Sequence, residues 1–202
     1  MEKKIAMSEN FYILNNFPQE FLDEVRKYWD ENHTNMETME WAGDRKVAGT
    51  VTRKKMKSYD LPDDYLVKKF KEIFDSPLVK EGSFGYLYYA AGSGHFIHHY
   101  DIGRTAGINM PVCVDYDNSV FYSGDNGEEL NDSDWDSMYR GEMEFEFRPE
   151  NYKFYNMRKP ILFNAKCPHN FANWANTDRV LFTLNFSSTA KEMKELLPQE
   201  WF

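Results

Sequence analysis

The sequence predicts a mainly β protein, an antiparallel sandwich or jelly roll with helices before and after it. Three observations carry this. From Gly85 onward the chain breaks into short β-rich runs: GYLYYAA, HFIHHYD, GINMPVCVDY, SVFYSG, EMEFEF, ENYKFYNM, PILFNA and RVLFTLNF. Gly, Pro, Asn and Asp separate them, as expected of strands joined by turns. EMEFEF alternates apolar with acidic residues, the period-two signature of a strand. Before Gly85 the apolar residues recur instead at helical spacing. A chain of 202 residues, 42% hydrophobic and 17% aromatic, is long enough to bury one sizeable core, so a single domain over 1–202 is expected.

In order along the chain, residues 11–17 (FYILNNF) read as a short strand. Pro18 then opens a helix to about Glu31, with Phe21, Leu22, Val25, Tyr28 and Trp29 as its inner stripe. Residues 42–57 carry Arg45, Lys46, Arg53, Lys54, Lys55 and Lys57, a solvated basic face or a docking surface for an acidic partner. A second helix is expected from Asp63 to Phe74, with Leu66, Phe70, Ile73 and Phe74 inward and two aspartates favourably placed at its start. The helical part thus covers about 1–80 and the β core about 84–188. A closing helix covers about 189–197. Within the core, 115–136 is an acidic excursion or long hairpin.

Bulk properties exclude several classes. A net charge of −9 disfavours a nucleic-acid surface. No apolar run is long enough to cross a bilayer, and MEKKIAMSEN lacks the apolar centre of a signal peptide. Cys113 and Cys167 make no disulfide framework, so a reducing, cytoplasmic setting is the default.

The chemistry centres on GHFIHHYDIGR. His99-Tyr100-Asp101 is an H-x-D element. On a strand, His99 and Asp101 share a face and His98 points the other way. One imidazole and one carboxylate are two of the three ligands in the two-histidine, one-carboxylate triad that holds non-haem Fe(II). The third must come from far along the chain, and His169 in NAKCPHNFANWANTDRVLFTLNF is the candidate. Arg179 lies ten residues beyond it, at the start of a strand-like run, where a guanidinium can pair bidentately with a carboxylate.

The combination H-x-D followed by H-x3-N-x5-R, within residues 84–188, resembles the Fe(II)- and 2-oxoglutarate-dependent oxygenase superfamily, above all its prolyl-4-hydroxylase-like and small phage or bacterial members. The resemblance implies a double-stranded β-helix of cupin-like jelly-roll form, buttressed by the N-terminal helices. It implies Fe(II) on His99, Asp101 and His169, with 2-oxoglutarate and O2 as co-reactants and Arg179 as anchor of the 2-oxoglutarate carboxylate. Many relatives carry a hydroxyl residue two positions beyond this arginine. Here Leu181 stands there, and Thr183 or Asn185, on the Arg179 face, would supply the hydrogen bond. Tyr86 and Tyr88 share a face, and Tyr88 is the hydroxyl expected at the cosubstrate. Asn109 is expected to line the pocket. Arg104, near its mouth, would hold an anionic substrate or form a surface ion pair. Asn173 reads as a loop-fixing side chain. With Asp101 present, hydroxylation is the implied outcome, on a peptide or protein side chain or a small metabolite. Competing readings are a cupin-like metal enzyme that does not use 2-oxoglutarate, a zinc site on the same residues, and a non-catalytic jelly-roll binding protein.

Overall fold

The computed structural model describes residues 10–41, 56–79, 84–92, 94–95, 101, 104–112, 119–124, 152–167, 169–173 and 175–202. Strand β1 is Phe11–Ile13, followed by helix α1, Gln19–Asn32. Strands β2 (Thr38–Trp41) and β3 (Met56–Asp60) precede helix α2, Tyr65–Ile73. Then come β4 (Gly85–Tyr89), β5 (Gly94–His95), β6 (Ala106–Pro111) and β7 (Ser119–Gly124). After these lie β8 (Tyr152–Asn156), β9 (Ile161–Asn164), β10 (His169–Asn173) and β11 (Arg179–Phe186). Helix α3, Ala190–Leu196, follows.

The described strands form two sheets, ordered β1-β9-β6-β11-β4-β3-β2 and β5-β10-β7-β8. Every pairing within them is antiparallel, as the turn-rich β pattern predicts. The centre of the larger sheet is β11, between β6 and β4. All eight of its residues are buried, so both faces of the sheet are covered. Val180, Phe182, Leu184 and Phe186 belong to a cluster that includes Phe21, Leu22 and Val25 of α1 and Leu66 and Phe70 of α2. Leu181 belongs to a second cluster with Tyr89, Ile161, Phe163 and Met157, on the side that faces the smaller sheet.

The predicted helices form with the predicted faces inward. Phe21, Leu22, Val25, Tyr28 and Trp29 are all buried in α1. In α2, Leu66 and Phe70 are buried, while Ile73 and Phe74 are half-buried against the same cluster. Asp63 sits just before α2, where its Oδ1 accepts from the Tyr65 amide (2.9 Å) and the Tyr28 hydroxyl (2.8 Å), tying the two helices together. The closing helix carries a full capping box, Thr189 with Glu192. No helix among the described residues is long and apolar enough to cross a membrane.

One expectation about the strands needs revision. The first strand stops at Ile13: the Leu14 amide makes one last in-register bond to the Pro160 carbonyl, proline has no N–H to return it, and beyond it the Asn15 and Asn16 side chains bond the carbonyls of Phe202 and Glu200. At the end of the basic 42–57 stretch, Met56 and Lys57 open β3, which pairs with β4. This strand has no strong apolar alternation, and the ladder to β4 supplies what its side chains do not. Residues 42–55 and EMEFEF lie outside the described residues.

Phe182 is fully buried, with its ring 4.9 Å from Tyr86, 6.1 Å from Phe84 and 6.4 Å from Phe21. Phe182→Ala is expected to cost about 3–5 kcal/mol, and Thr189→Ala, which removes the cap, only about 1 kcal/mol. Urea unfolding of both variants checks the contrast.

Candidate active site

The site begins at the turn between β9 and β10, and Asn164 shapes that turn. Its Oδ1 accepts from the Lys166 amide (3.0 Å) and its Nδ2 reaches Cys167 Sγ (3.3 Å). Cys167 Sγ donates in turn to Asn10 Oδ1 (3.1 Å). The turn aims the Cys167 carbonyl at His169 Nδ1, 2.9 Å away. A carbonyl only accepts, so Nδ1 carries the proton and Nε2 is left to face the interior. There Nε2 meets Asp101 Oδ2 at 3.3 Å. His169 is fully buried, with Phe163 edge-on at 5.3 Å.

Asp101 reaches this point through backbone bonds to the same turn. Its amide donates to the Ala165 carbonyl (2.8 Å), and the Ala165 amide donates to Thr105 (2.9 Å). Lys166 Nζ donates to the Asp101 carbonyl (3.2 Å). These bonds to the β9–β10 turn close the chain separation between Asp101 and His169. His99, the other half of H-x-D, lies outside the described residues, as does His98.

Arg104 makes an ion pair, one of its two expected roles, and makes it inward rather than on the surface. Its Nη2 lies 2.7 Å from Asp101 Oδ2, and its Nη1 donates to Asn185 Oδ1 (2.6 Å) and Thr183 Oγ1 (3.2 Å). The spacing of three from Asp101 was visible in the sequence; the inward turn was not.

Arg179 opens β11 and is fully buried. Its guanidinium lies 5.5 Å from the centre of the Tyr89 ring, and its Nη2 is 3.5 Å from Met157 Sδ. The register explains the company: Arg179 is opposite Tyr89, and Thr183 is opposite Asn109 on β6. Directly opposed residues share a face, so Arg179, Leu181, Thr183, Asn185, Tyr89 and Asn109 all look towards the smaller sheet. Tyr88, expected at the cosubstrate, does not join them. It is opposite Val180 and packs against the helix-side cluster, while its hydroxyl bonds Asp178. Tyr86 likewise points to the helix side, fully buried and donating to the Val25 carbonyl at 2.7 Å. Tyr89 takes the place expected of Tyr88, because the offset between two antiparallel strands cannot be read from either alone.

Asn109 is fully buried, and neither atom of its amide has a hydrogen-bond partner in the described structure. Such groups are rare, and this one stands on the Arg179 face of the sheet. Asn173 fixes the loops, as expected: Nδ2 donates to the carbonyls of Tyr89, Ala90 and Thr177, and Oδ1 accepts from the Ala175 amide. That clamps the end of β4, and Tyr89 with it, beside Arg179.

The donor set fits a divalent first-row metal. Two ligands at about 2.1 Å from one cation, a right angle apart, are themselves about 3 Å apart, close to the spacing of His169 Nε2 and Asp101 Oδ2. An Nδ1–H held by a backbone carbonyl is the usual outer partner of a metal-binding histidine. Among the described residues no group of three such ligands gathers; the pair here is one donor short of a triad.

No family model matches this chain, and no curated protein sequence does. Solved structures do match. The non-heme alpha ketoglutarate dependent epimerase SnoN from nogalamycin biosynthesis superposes with a TM-score of 0.60 at 14% identity, covering 87% of this chain and 77% of that one. A prolyl hydroxylase from Trichoplax adhaerens, in complex with a hypoxia inducible factor peptide fragment, gives 0.59 at 14% identity, covering 95% and 89%. A Pseudomonas putida prolyl-4-hydroxylase gives 0.54 at 10% identity, covering 89% and 92%. The chain has the fold of the Fe(II)- and 2-oxoglutarate-dependent oxygenases. In that fold, a double-stranded β-helix, the inner face of β11 and the β9–β10 turn bring Arg179, Asp101 and His169 into the space between the sheets.

Burial pushes the Tyr89 hydroxyl up to about 12, against the opposing pull of Arg179 and Arg104. An unfolded tyrosine releases its proton near 10. The folded state therefore holds the proton more tightly, and the stability this gives is present below pH 10 and lost as pH rises towards 12. The urea midpoint is expected to fall between pH 10 and pH 12, and to fall less in Tyr89→Phe. Equal slopes in the two proteins would remove Tyr89 from this account.

Proposed function

We propose that this protein is an Fe(II)- and 2-oxoglutarate-dependent dioxygenase that hydroxylates a peptide or protein side chain or a small metabolite. The observation that carries the reading is the buried meeting of His169 Nε2 and Asp101 Oδ2 at 3.3 Å, between the two sheets and in front of the face of β11 that holds the buried Arg179, in a chain with the oxygenase fold. The H-x-D element supplies His99 as the remaining ligand of the set. One domain spanning 1–202 carries the whole site. When bound, the metal supplies activation of O2, with 2-oxoglutarate decarboxylated to succinate and CO2 as the substrate is oxidised.

The chain's own residues divide the remaining work. Arg179 offers a planar fork that matches a carboxylate, and burial strengthens that pairing. Tyr89 and Met157 hold the fork from two sides. Thr183 and Asn109, opposite each other across β11 and β6, offer a hydroxyl and an amide to the bound cosubstrate. Ile161, Phe163 and Leu181 are fully buried and keep the space between the sheets dry. Asp101 and His169 Nε2 hold the metal, and the Cys167 carbonyl keeps the second ring nitrogen protonated and the ring aimed. Substrates of related fold support both options: the Trichoplax enzyme is bound to a peptide fragment, and SnoN was solved with Fe3+, alpha ketoglutarate and nogalamycin RO.

Anaerobic titration of the metal-free protein with Fe(II) and 2-oxoglutarate is expected to produce the visible charge-transfer band of the ternary complex. Arg179→Ala is expected to weaken 2-oxoglutarate on the order of 100-fold, as when one partner of a buried charge pair is removed, with metal binding retained. His169→Ala and His99→Ala are expected to lose the metal. Metal binding without the band would favour a cupin-like or zinc enzyme. Absence of any metal binding would favour a non-catalytic jelly-roll protein.

A further inference from the structure

We propose that Arg104 is a positioning residue of this metal centre: its guanidinium ties the Asp101 carboxylate to β11 and so sets where that carboxylate presents its oxygens. This rests on the metal reading above. Arg104 touches three separate groups. Nη2 is 2.7 Å from Asp101 Oδ2, and Nη1 is 2.6 Å from Asn185 Oδ1 and 3.2 Å from Thr183 Oγ1. The guanidinium also lies 5.4 Å from the centre of the Phe163 ring. The Arg104 and Asp101 side chains are 15% and 16% exposed, so this pair is far from a solvent-screened surface bridge.

The direction of support runs from the sheet to the ligand. Thr183 and Asn185 belong to β11, which is buried along its whole length, and Phe163 belongs to β9. Asp101 lies outside any regular strand. Its backbone is pinned at Ala165 and Lys166, and its carboxylate is aimed by a fork whose other tine is fixed on the central strand. A lysine ammonium, a compact charge on a flexible stem, cannot serve the carboxylate and the Asn185–Thr183 pair with one rigid plane.

A second observation comes from β6. Gly107 is opposite both Asn185 and Phe163 in the register. A Cβ on Gly107 would stand 2.9 Å from Phe163 Cε1, 3.0 Å from Asn185 Oδ1 and 3.0 Å from the Leu184 carbonyl oxygen. The first two are groups that seat Arg104. The missing side chain at Gly107 is thus the space in which the seat is built.

Charge and position make opposite predictions, which allows a clean test. A cation beside the carboxylate repels a metal ion, so a purely electrostatic Arg104 would weaken metal binding and its removal would tighten it. A positioning Arg104 strengthens binding by holding the ligand in place. The experiment titrates Co(II) alone into the metal-free full chain, reading affinity and the visible ligand-field spectrum, with thermal unfolding as a check of fold. Arg104→Met is expected to bind Co(II) about 10–100-fold more weakly, the usual cost of losing an outer partner of a metal ligand, with an altered spectrum. Arg104→Lys is expected to remain altered. Millimolar guanidinium is expected to restore the Arg104→Ala spectrum but not that of Arg104→Met, whose side chain fills the seat. Gly107→Ala, with Arg104 intact, is expected to shift the spectrum in the same sense. Unchanged or tighter binding with an unchanged spectrum in folded Arg104→Met and Gly107→Ala overturns the proposal while leaving the metal centre standing. If Arg104→Met fails to fold, Arg104→Ala with guanidinium and Gly107→Ala decide by the same readouts. No Co(II) binding by the wild-type chain overturns the metal reading and this proposal together.

Discussion

Strand β11 is buried on both faces, and the arrangement of the molecule follows from that constraint. Period-two alternation divides its eight residues into two sets of four. Val180, Phe182, Leu184 and Phe186 meet α1 and α2 and make the apolar core that holds the chain together. Arg179, Leu181, Thr183 and Asn185 face the smaller sheet, and three of these four are polar or charged. A slip of one residue in the pairing would exchange the sets, placing an arginine against the helices and phenylalanines in the site. The pairing with β4 and β6 therefore fixes stability and chemistry in one step.

The inner face then has to accommodate charge away from water. Arg179 is fully buried, and Arg104 and Asp101 are partly buried. Isolated charges in such surroundings are costly, and they persist where opposite charges and hydrogen bonds are arranged around them. Arg104 with Asp101, Asn185 and Thr183 is one such arrangement. The Tyr89 ring beside Arg179 is a milder one, an aromatic face next to a cation. The same low-dielectric surroundings that raise the Tyr89 hydroxyl strengthen any carboxylate–guanidinium contact made there.

Two polar turns carry the precision of the site. Asn164 and Cys167 shape the approach to His169, and Asn173 gathers the carbonyls of Tyr89, Ala90 and Thr177. Each replaces loop freedom with bonds to its own neighbourhood, so that the groups next to it stand at fixed distances. Packing alone does not set a ring nitrogen's tautomer, whereas the Cys167 carbonyl at 2.9 Å from Nδ1 does.

The sequence by itself determined what depends on local period and residue type. The inner stripes of α1 and α2 follow from 3.6-residue spacing, the antiparallel β class from its turn residues, and the candidates His169, Asp101 and Arg179 from donor chemistry in a spaced pattern. The tertiary structure decided what depends on register between strands remote in sequence. Tyr89 rather than Tyr88 stands beside Arg179, because antiparallel pairing places it opposite and no feature of GYLYYAA reveals the offset. Arg104 turns onto Asp101, because Asn185 and Thr183 arrive from the far end of the chain to receive it. β3 exists because β4 offers it a ladder. Side-chain parity is a local property of one strand, but which parity faces which partner is settled only when two strands meet.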